Sequence, residues 1–303
     1  MIVTITLNPA IDYHVYVADL KRDKTNVMAK KEICCGGKGI NVNKALSLLK
    51  ENSVATGFLF SNDSSLFENE LNDKYIVSDF VTIEGSTRTN IKINDQNGNL
   101  IEINENNQVE KKDFIKLMKK IDKYLIKDNI IVISGSLPKG LSEDSYLKLC
   151  LKAKEKGCQV ILDSSKKSLA LAYEYCDVIK PNKEEFVSIT DLEFDCSTED
   201  IIDKLKEFNN EIVAVSLGEQ GAIYKYKKDI YKVKPLALKI KSTVGAGDAM
   251  VAGISYGIKN KKNIEDIIRY SSALASLIIT DFDRDSFECK LEKLKTELEI
   301  ERL

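Results

Sequence analysis

Short apolar runs alternate with amphipathic stretches along most of the 303 residues, and this alternation constrains the fold more than any other feature. Six runs, Ile2–Leu7, Val54–Phe60, Ile130–Ser134, Val160–Asp163, Val178–Ile179 and Ile212–Leu217, have the near-continuous apolar character of strands covered on both faces. Between them, apolar residues return every three or four positions in 40–49, 113–125, 142–156, 198–208, 246–258 and 264–279, the stripe of a helix with one face in a core. The pattern predicts an α/β fold with a doubly wound, mostly parallel sheet flanked by helices.

Two segments break this rhythm. Tyr13–Val17 and Asn90–Asn104 alternate polar and apolar residues with no helix between, as half-exposed strands do. Asn97-Gly98, flanked by Ile91, Ile93, Ile101 and Ile103, is a type I′ hairpin signal. A small antiparallel β-sheet built from residues 12–35 and 85–108 is therefore predicted to project from a main α/β domain of residues 1–11, 36–84 and 109–303.

Composition removes several classes of function. Lys+Arg 45 against Asp+Glu 47 leaves no global positive field for nucleic acid or anionic lipid, so any anion site must be local. No apolar run reaches the roughly 20 residues of a membrane helix, and the N-terminus lacks a basic, cleavable leader, which together predict a soluble cytoplasmic protein. Seven Cys without a CxxC pair argue against zinc or a disulfide framework. The single His14 excludes mechanisms that need two histidines and is expected as a partly exposed strand residue.

The chemistry concentrates at two glycine-rich helix starts. In Ser242-Thr243-Val244-Gly245-Ala246-Gly247-Asp248, small residues let backbone amides converge at a helix N-terminus, where free donors and the macrodipole favour an anion. Asp248 beside that anion site can take a proton from an attacking hydroxyl. A turn with Asp as helix cap explains the same residues. In Gly36-Gly37-Lys38-Gly39-Ile40-Asn41, Gly37 allows close approach of a sugar, Lys38 can pair with a phosphate, and Asn41 can both donate to and accept from hydroxyls. This is neither a P-loop nor the GxGxxG fingerprint of dinucleotide enzymes, which disfavours a dehydrogenase.

These two segments resemble the paired signatures of the phosphofructokinase-B branch of the ribokinase-like sugar kinases. The resemblance spans nearly the whole chain: Thr6-Leu7-Asn8-Pro9-Ala10-Ile11-Asp12, Thr87-Arg88-Thr89-Asn90, Ser134-Gly135-Ser136-Leu137-Pro138, Lys180-Pro181-Asn182-x-x-Glu185 and Ser216-Leu217-Gly218-x-x-Gly221 follow in family order. It implies Asp248 as catalytic base, with Gly245, Ala246 and Gly247 as an anion hole. It implies Asp12 and Ser136 as sugar contacts. Arg88 and Lys92, on one face of the projecting sheet, become a clamp for the phosphate the substrate already carries. Asn182 and Glu185 would order the phosphates of ATP and an Mg2+ ion, Glu185 acting through water, although a helix capping box accounts for both residues. Ser216, Gly218 and Gly221 would form the nucleotide loop.

Departures fall at Asp163-Ser164-Ser165-Lys166, where a glycine is usual, at Asn104–Asn107, which lacks a Pro-Gly-Pro and reads as a loop, and at 273–280, so no adenine contacts are assigned. Within the family the chain looks most like a 1-phosphofructokinase, which implies ATP-dependent phosphorylation of the 6-hydroxyl of fructose 1-phosphate. Tagatose-6-phosphate kinase shares the motif set, and a catalytically idle sugar-phosphate sensor is a further alternative. The family also implies that the projecting sheet is a lid and that two subunits pair through their lids as a homodimer.

Overall fold

The computed structural model describes residues 1–97 and 99–303. In chain order the first elements are β1 (Ile2–Thr6), β2 (Ala10–Val17), β3 (Met28–Gly36), α1 (Lys38–Leu48), β4 (Ser53–Phe60), α2 (Ser64–Glu70), β5 (Ile76–Ser78) and β6 (Val81–Ile83). Next come β7 (Thr89–Asn94), β8 (Leu100–Asn104), α3 (Lys111–Lys120), β9 (Ile130–Ser134), α4 (Ser145–Glu155), β10 (Gln159–Asp163), α5 (Lys166–Ala172) and β11 (Val178–Ile179). The chain closes with α6 (Lys183–Val187), α7 (Thr198–Leu205), β12 (Ile212–Ser216), β13 (Ala222–Tyr226), β14 (Asp229–Val233), α8 (Ala246–Lys259), α9 (Ile264–Ile278), α10 (Phe287–Glu297) and β15 (Ile300–Arg302).

The main sheet runs β12-β11-β10-β9-β1-β4-β5 in space, every neighbouring pair parallel, with β6 also paired to β4. Alternate residues of one strand feed different cores: Ile131 and Ile133 of β9 pack with Phe114, Leu117 and Tyr146, whereas Ile130 and Val132 pack with Leu46, Met250 and Leu274. Both faces are covered, which is why the strands read as continuous apolar runs. The expected doubly wound sheet is present. Its far edge, β13-β14-β15, is antiparallel and was not foreseen, because the β13/β14 turn uses Lys227 at φ 54 instead of a glycine or asparagine. The stretch 113–125, expected as one helix, is α3 followed by a 3-10 turn at Ile121–Tyr124.

The separate four-stranded sheet has the order β3-β2-β7-β8. Each hairpin, β2/β3 and β7/β8, is antiparallel as expected, but the two are joined through a parallel β2/β7 ladder. Both first strands leave the main body together, tied by the Ile11 amide donating to the Arg88 carbonyl at 2.9 Å, so they run outward side by side. Alternation gives the face of a residue, not the direction of its strand. The Asn97-Gly98 turn falls at Gly98, outside the described residues. The register places Asp12, His14, Asn90 and Lys92 on one face, with Ile33, Tyr13, Ile91 and Ile103 in one row of the other and Val15, Ile93 and Ile101 in the next. His14 is half-buried in its strand, as expected.

Helices α8 and α9 pack closely enough that a Cβ at Gly253 would lie 2.5 Å from Ser271 Cα. Gly253→Val is expected to force the pair apart and lower the unfolding free energy by about 2–3 kcal/mol, read as a reduced Tm. An unchanged Tm would mean that the contact is not held in solution.

Candidate active site

The parallel strands deliver their C-terminal ends to one edge of the sheet, where ligands of open α/β folds bind. Helix α8 begins there. Its preceding residue Gly245 has φ 86, a left-handed conformation that favours glycine, and this turn sets Ala246, Gly247 and Asp248 in the first helical turn. Helix α1 starts at Lys38 after Gly37, φ 135, where a Cβ would lie 2.8 Å from Thr6 Cγ2. The two starts meet: Asn41 Nδ2 donates to Asp248 Oδ2 at 2.8 Å. The glycine-lysine segment and the proposed base, 207 positions apart for these two side chains, therefore share one site.

Asp248 is 7% exposed. Burial, and then the nearby Asp163 carboxylate, push its pKa up to about 7, against the Asn41 hydrogen bond and the Lys38 and Lys180 ammonium groups. Asp163, fully buried at the end of β10, lies 3.2 Å from Lys38 Nζ and 3.4 Å from Lys180 Nζ. Burial favours its neutral form, but the two lysines prevail and hold it below the usual carboxylate range. For Lys38, burial acts downward and the carboxylates of Asp163, Glu185 and Asp248 outweigh it, raising its pKa. Glu185 is raised, chiefly by burial.

Two cavities flank this centre. A smaller one of about 200 Å³ is lined by Thr6, Asn8, Lys38, Arg88, Ser136 and Glu185 among others. A larger one of about 580 Å³ is lined by Ser216, Gly218, Gly221, Leu236, Thr243, Gly247 and Ser276 among others. The smaller cavity is polar at its walls. The larger also takes Leu238, Ile240, Met250 and Ile279, an apolar lining suited to a flat ring.

The sequence pattern of the pfkB family carbohydrate kinases matches residues 5–286. The chain belongs to the pfkB family of carbohydrate kinases. Among the relatives of this pfkB kinase, the tagatose-6-phosphate kinase of Staphylococcus epidermidis is 33% identical over 291 residues, 91% of each chain. The crystal structure of Escherichia coli phosphofructokinase-2 in complex with fructose-6-phosphate superposes with a TM-score of 0.86 at 25% identity, covering 97% of this chain and 98% of that one. A Thermotoga maritima protein described as a possible 1-phosphofructokinase gives a TM-score of 0.82 at 28% identity, covering 100% and 99%. The pfkB kinase is thus an ATP-dependent sugar kinase, with the large parallel sheet and separate small sheet of its family.

The geometry brings together Asp248, the Gly245–Gly247 turn, Lys38 and Asn41, with Ser136, Arg88 and Glu185 on the smaller cavity and Ser216, Gly218 and Gly221 on the larger. Asp12 accepts from Asn90 Nδ2 at 2.7 Å on the polar face of the small sheet. Arg88 does more holding than expected: its guanidinium donates to the carbonyls of Asn8 and Pro9, each at 3.2 Å, and of Glu105 at 3.3 Å, leaving a minority of its five N–H groups for a ligand. Lys92 lies 3.7 Å from Glu102, a partner on the adjacent strand. Asn182 and Glu185 form the capping box of α6, each side chain accepting from the other's amide, at 2.8 and 2.9 Å.

The sequence reading missed Asp163, Lys180 and Asn107. Asn107 donates to Asn8 Oδ1 at 2.8 Å and accepts from the Arg88 amide at 2.6 Å, so the supposed loop is the seam between the two sheets. Asn8 adds a bond to Ser136 Oγ at 2.8 Å. Among the described residues no group of three His, Cys, Asp or Glu side chains could cage a metal. Glu185 gives one oxygen to its capping bond and keeps the other, which fits Mg2+ carried by nucleotide phosphates and water better than a protein-built cage.

The raised pKa of Asp248 has a stability consequence. The unfolded chain releases this proton near pH 4, the native state near pH 7. Between those values the native state binds more protons, so stability falls as pH rises through the window. Asp248→Asn, which stays neutral, is expected to be more stable than wild type at pH 8, by up to about 4 kcal/mol, with the gap closing by pH 4. Denaturant unfolding at both pH values measures it. A gap independent of pH would refute the assignment.

Proposed function

We propose that the protein transfers the γ-phosphoryl group of ATP to the 6-hydroxyl of fructose 1-phosphate, giving fructose 1,6-bisphosphate and ADP. The observation that carries this reading is the buried Asp248, bonded to Asn41 and beside Lys38, between a small polar cavity and a larger one with an apolar lining. Asp248 takes the hydroxyl proton as the oxygen attacks the γ-phosphorus in line and the bond to the ADP oxygen breaks. Burial makes this carboxylate a stronger base than an exposed one, with proton affinity near neutral pH. The amides of the Gly245–Gly247 turn face the charge that develops on the phosphoryl oxygens. Mg2+, bound with the nucleotide near Glu185, would neutralise part of that charge.

Asp12 and Asn90 suit sugar hydroxyls, and Lys38, Lys92 and the remaining N–H groups of Arg88 suit the phosphate already on the sugar. Tagatose 6-phosphate is the second reading, supported by the 33% identical relative. The two ketoses carry phosphate and acceptor at opposite ends, so a substrate panel separates them. We further assign residues 12–35 and 85–108 as a lid over the smaller cavity, excluding water that would compete with the sugar hydroxyl. Its outer face exposes Ile33, Ile101 and Ile103 at 44%, 38% and 54%, which suits pairing with the lid of a second copy.

With ATP and magnesium, kcat/KM is expected to be greatest for fructose 1-phosphate among it, tagatose 6-phosphate and fructose 6-phosphate. A greater value for tagatose 6-phosphate selects the second reading. Asp248→Asn is expected to lower kcat by about 10²–10⁴-fold, and wild-type kcat/KM should fall as the pH drops below about 7. Near-native turnover in the variant would remove Asp248 as the base. Light scattering at micromolar concentration is expected to give a dimer for wild type and a monomer for the Ile33→Lys/Ile103→Lys double variant; a wild-type monomer would end the lid-pairing assignment.

A further inference from the structure

The two lysines nearest the proposed base share a partner to which the mechanism above gives no role. Asp163 ends β10 with no exposed surface. Its Oδ1 accepts from Lys38 Nζ at 3.2 Å and lies 3.4 Å from Lys180 Nζ, and Oδ2 accepts from Ser134 Oγ at 3.2 Å. Its carbonyl accepts from the Gly135 amide at 2.9 Å, which fixes the carboxylate against the end of β9. The three side-chain partners come from the start of α1, the residue after β11 and the end of β9. One oxygen thus ties two ammonium groups that the chain delivers separately.

We propose that Asp163 is a positioning residue for phosphoryl transfer: it holds Lys38 toward the sugar-phosphate cavity and Lys180 toward the Gly245–Gly247 anion turn as a coupled pair. This rests on the kinase reading above. Lys38 lines the smaller cavity. Lys180, 4% exposed in its side chain, reaches the main chain of the anion turn, since a Cβ on Gly247 would lie 3.2 Å from its Nζ. Two ammonium groups sharing one neighbour repel each other, and the buried carboxylate between them offsets that repulsion while leaving an excess of positive charge. Each ammonium has three N–H groups, so donors remain on both for phosphate oxygens. A purely architectural ion pair needs one lysine; here the second reaches the anion turn.

Asp163→Asn keeps the side-chain shape and removes the charge. The variant is expected to lose at least tenfold in kcat, with a smaller change in the KM for the sugar phosphate. The acid limb of its kcat/KM profile is also expected to move to lower pH. The charged groups around Asp248 are Lys38 of α1, Lys180 after β11 and Asp163 of β10, with Glu185 of α6 facing Lys38; after burial, the charge of Asp163 is the leading influence that raises the proton affinity of Asp248. Native kcat and an unmoved limb would overturn the proposal. Should Asp163→Asn fail to fold, Lys38→Met, Lys180→Met and their combination provide the test. The double variant is expected to lose at least tenfold less than the product of the single losses, and losses that multiply would overturn the coupling. Wild type inactive on every ketose monophosphate would remove the ketose-phosphate reading and this role with it, whereas active wild type with a native Asp163→Asn profile removes this role alone.

Discussion

The hydrogen bond from Asn41 to Asp248 exists because α1 and α8 start at the same edge of the parallel sheet, and the site is built around that coincidence. Each helix start supplies unpaired amides and the positive end of a dipole. Such an edge attracts anions, and it tolerates a buried carboxylate only where neighbours compensate it. Asp248 is compensated in part: Asn41, Lys38 and Lys180 favour its charged form, while burial and Asp163 oppose it more strongly. The outcome is a carboxylate poised near neutral pH. A fully paired aspartate would be a weak base, and an uncompensated one would stay protonated.

Legibility in the sequence followed the range of the interaction. Gly37, Gly245 and Asp248 could be placed at helix starts because a helix start is a local object: its glycine, its small residues and its acidic side chain sit within a few positions of one another. The parallel sheet was equally open to reading, because strands buried on both faces carry their environment in their own composition. Asp163 was not, since its partners come from α1, β9 and the residue after β11, and only the spatial order β9-β10-β11 makes them neighbours. The parallel β2/β7 ladder was hidden for the same reason, as alternation is identical in either direction. Among the antiparallel edge strands, β13 and β14 join through lysines, where no turn residue marks the reversal.

Arg88 faces a cavity and holds the main chain at the same time. It stands one residue before β7 and lines the smaller cavity. Yet its planar fork also fits three main-chain carbonyls, of Asn8, Pro9 and Glu105, which lie where the chain passes between the two sheets. Carbonyl oxygens carry no signature in the sequence. Burial, its leading influence, lowers the Arg88 pKa without approaching deprotonation, so the guanidinium remains a fixed cation in the seam.

That seam bears on how the small sheet can move. Each two-stranded hairpin is marginal alone, and the small sheet gains order from joining the two and from attachment to the larger body. The attachment combines an apolar patch, where Ile11 and Cys35 pack with Ile40, Leu59 and Phe67, with polar bonds: Asn107 bridges Asn8 and the Arg88 amide, Arg88 grips the Asn8-Pro9 carbonyls, and Lys44 holds the Cys35 carbonyl at 2.6 Å while pairing with Glu70. All these bonds lie at the base of the sheet. Its far end carries exposed residues from Lys21 to Met28. Rotation about the base would preserve the bonds near the pivot and displace the tip most, whereas translation of the whole sheet would break them together. The Asn8-Pro9 and Arg88 crossing thus ties the base of the small sheet to the wall of the cavity that Ser136 and Lys38 also line.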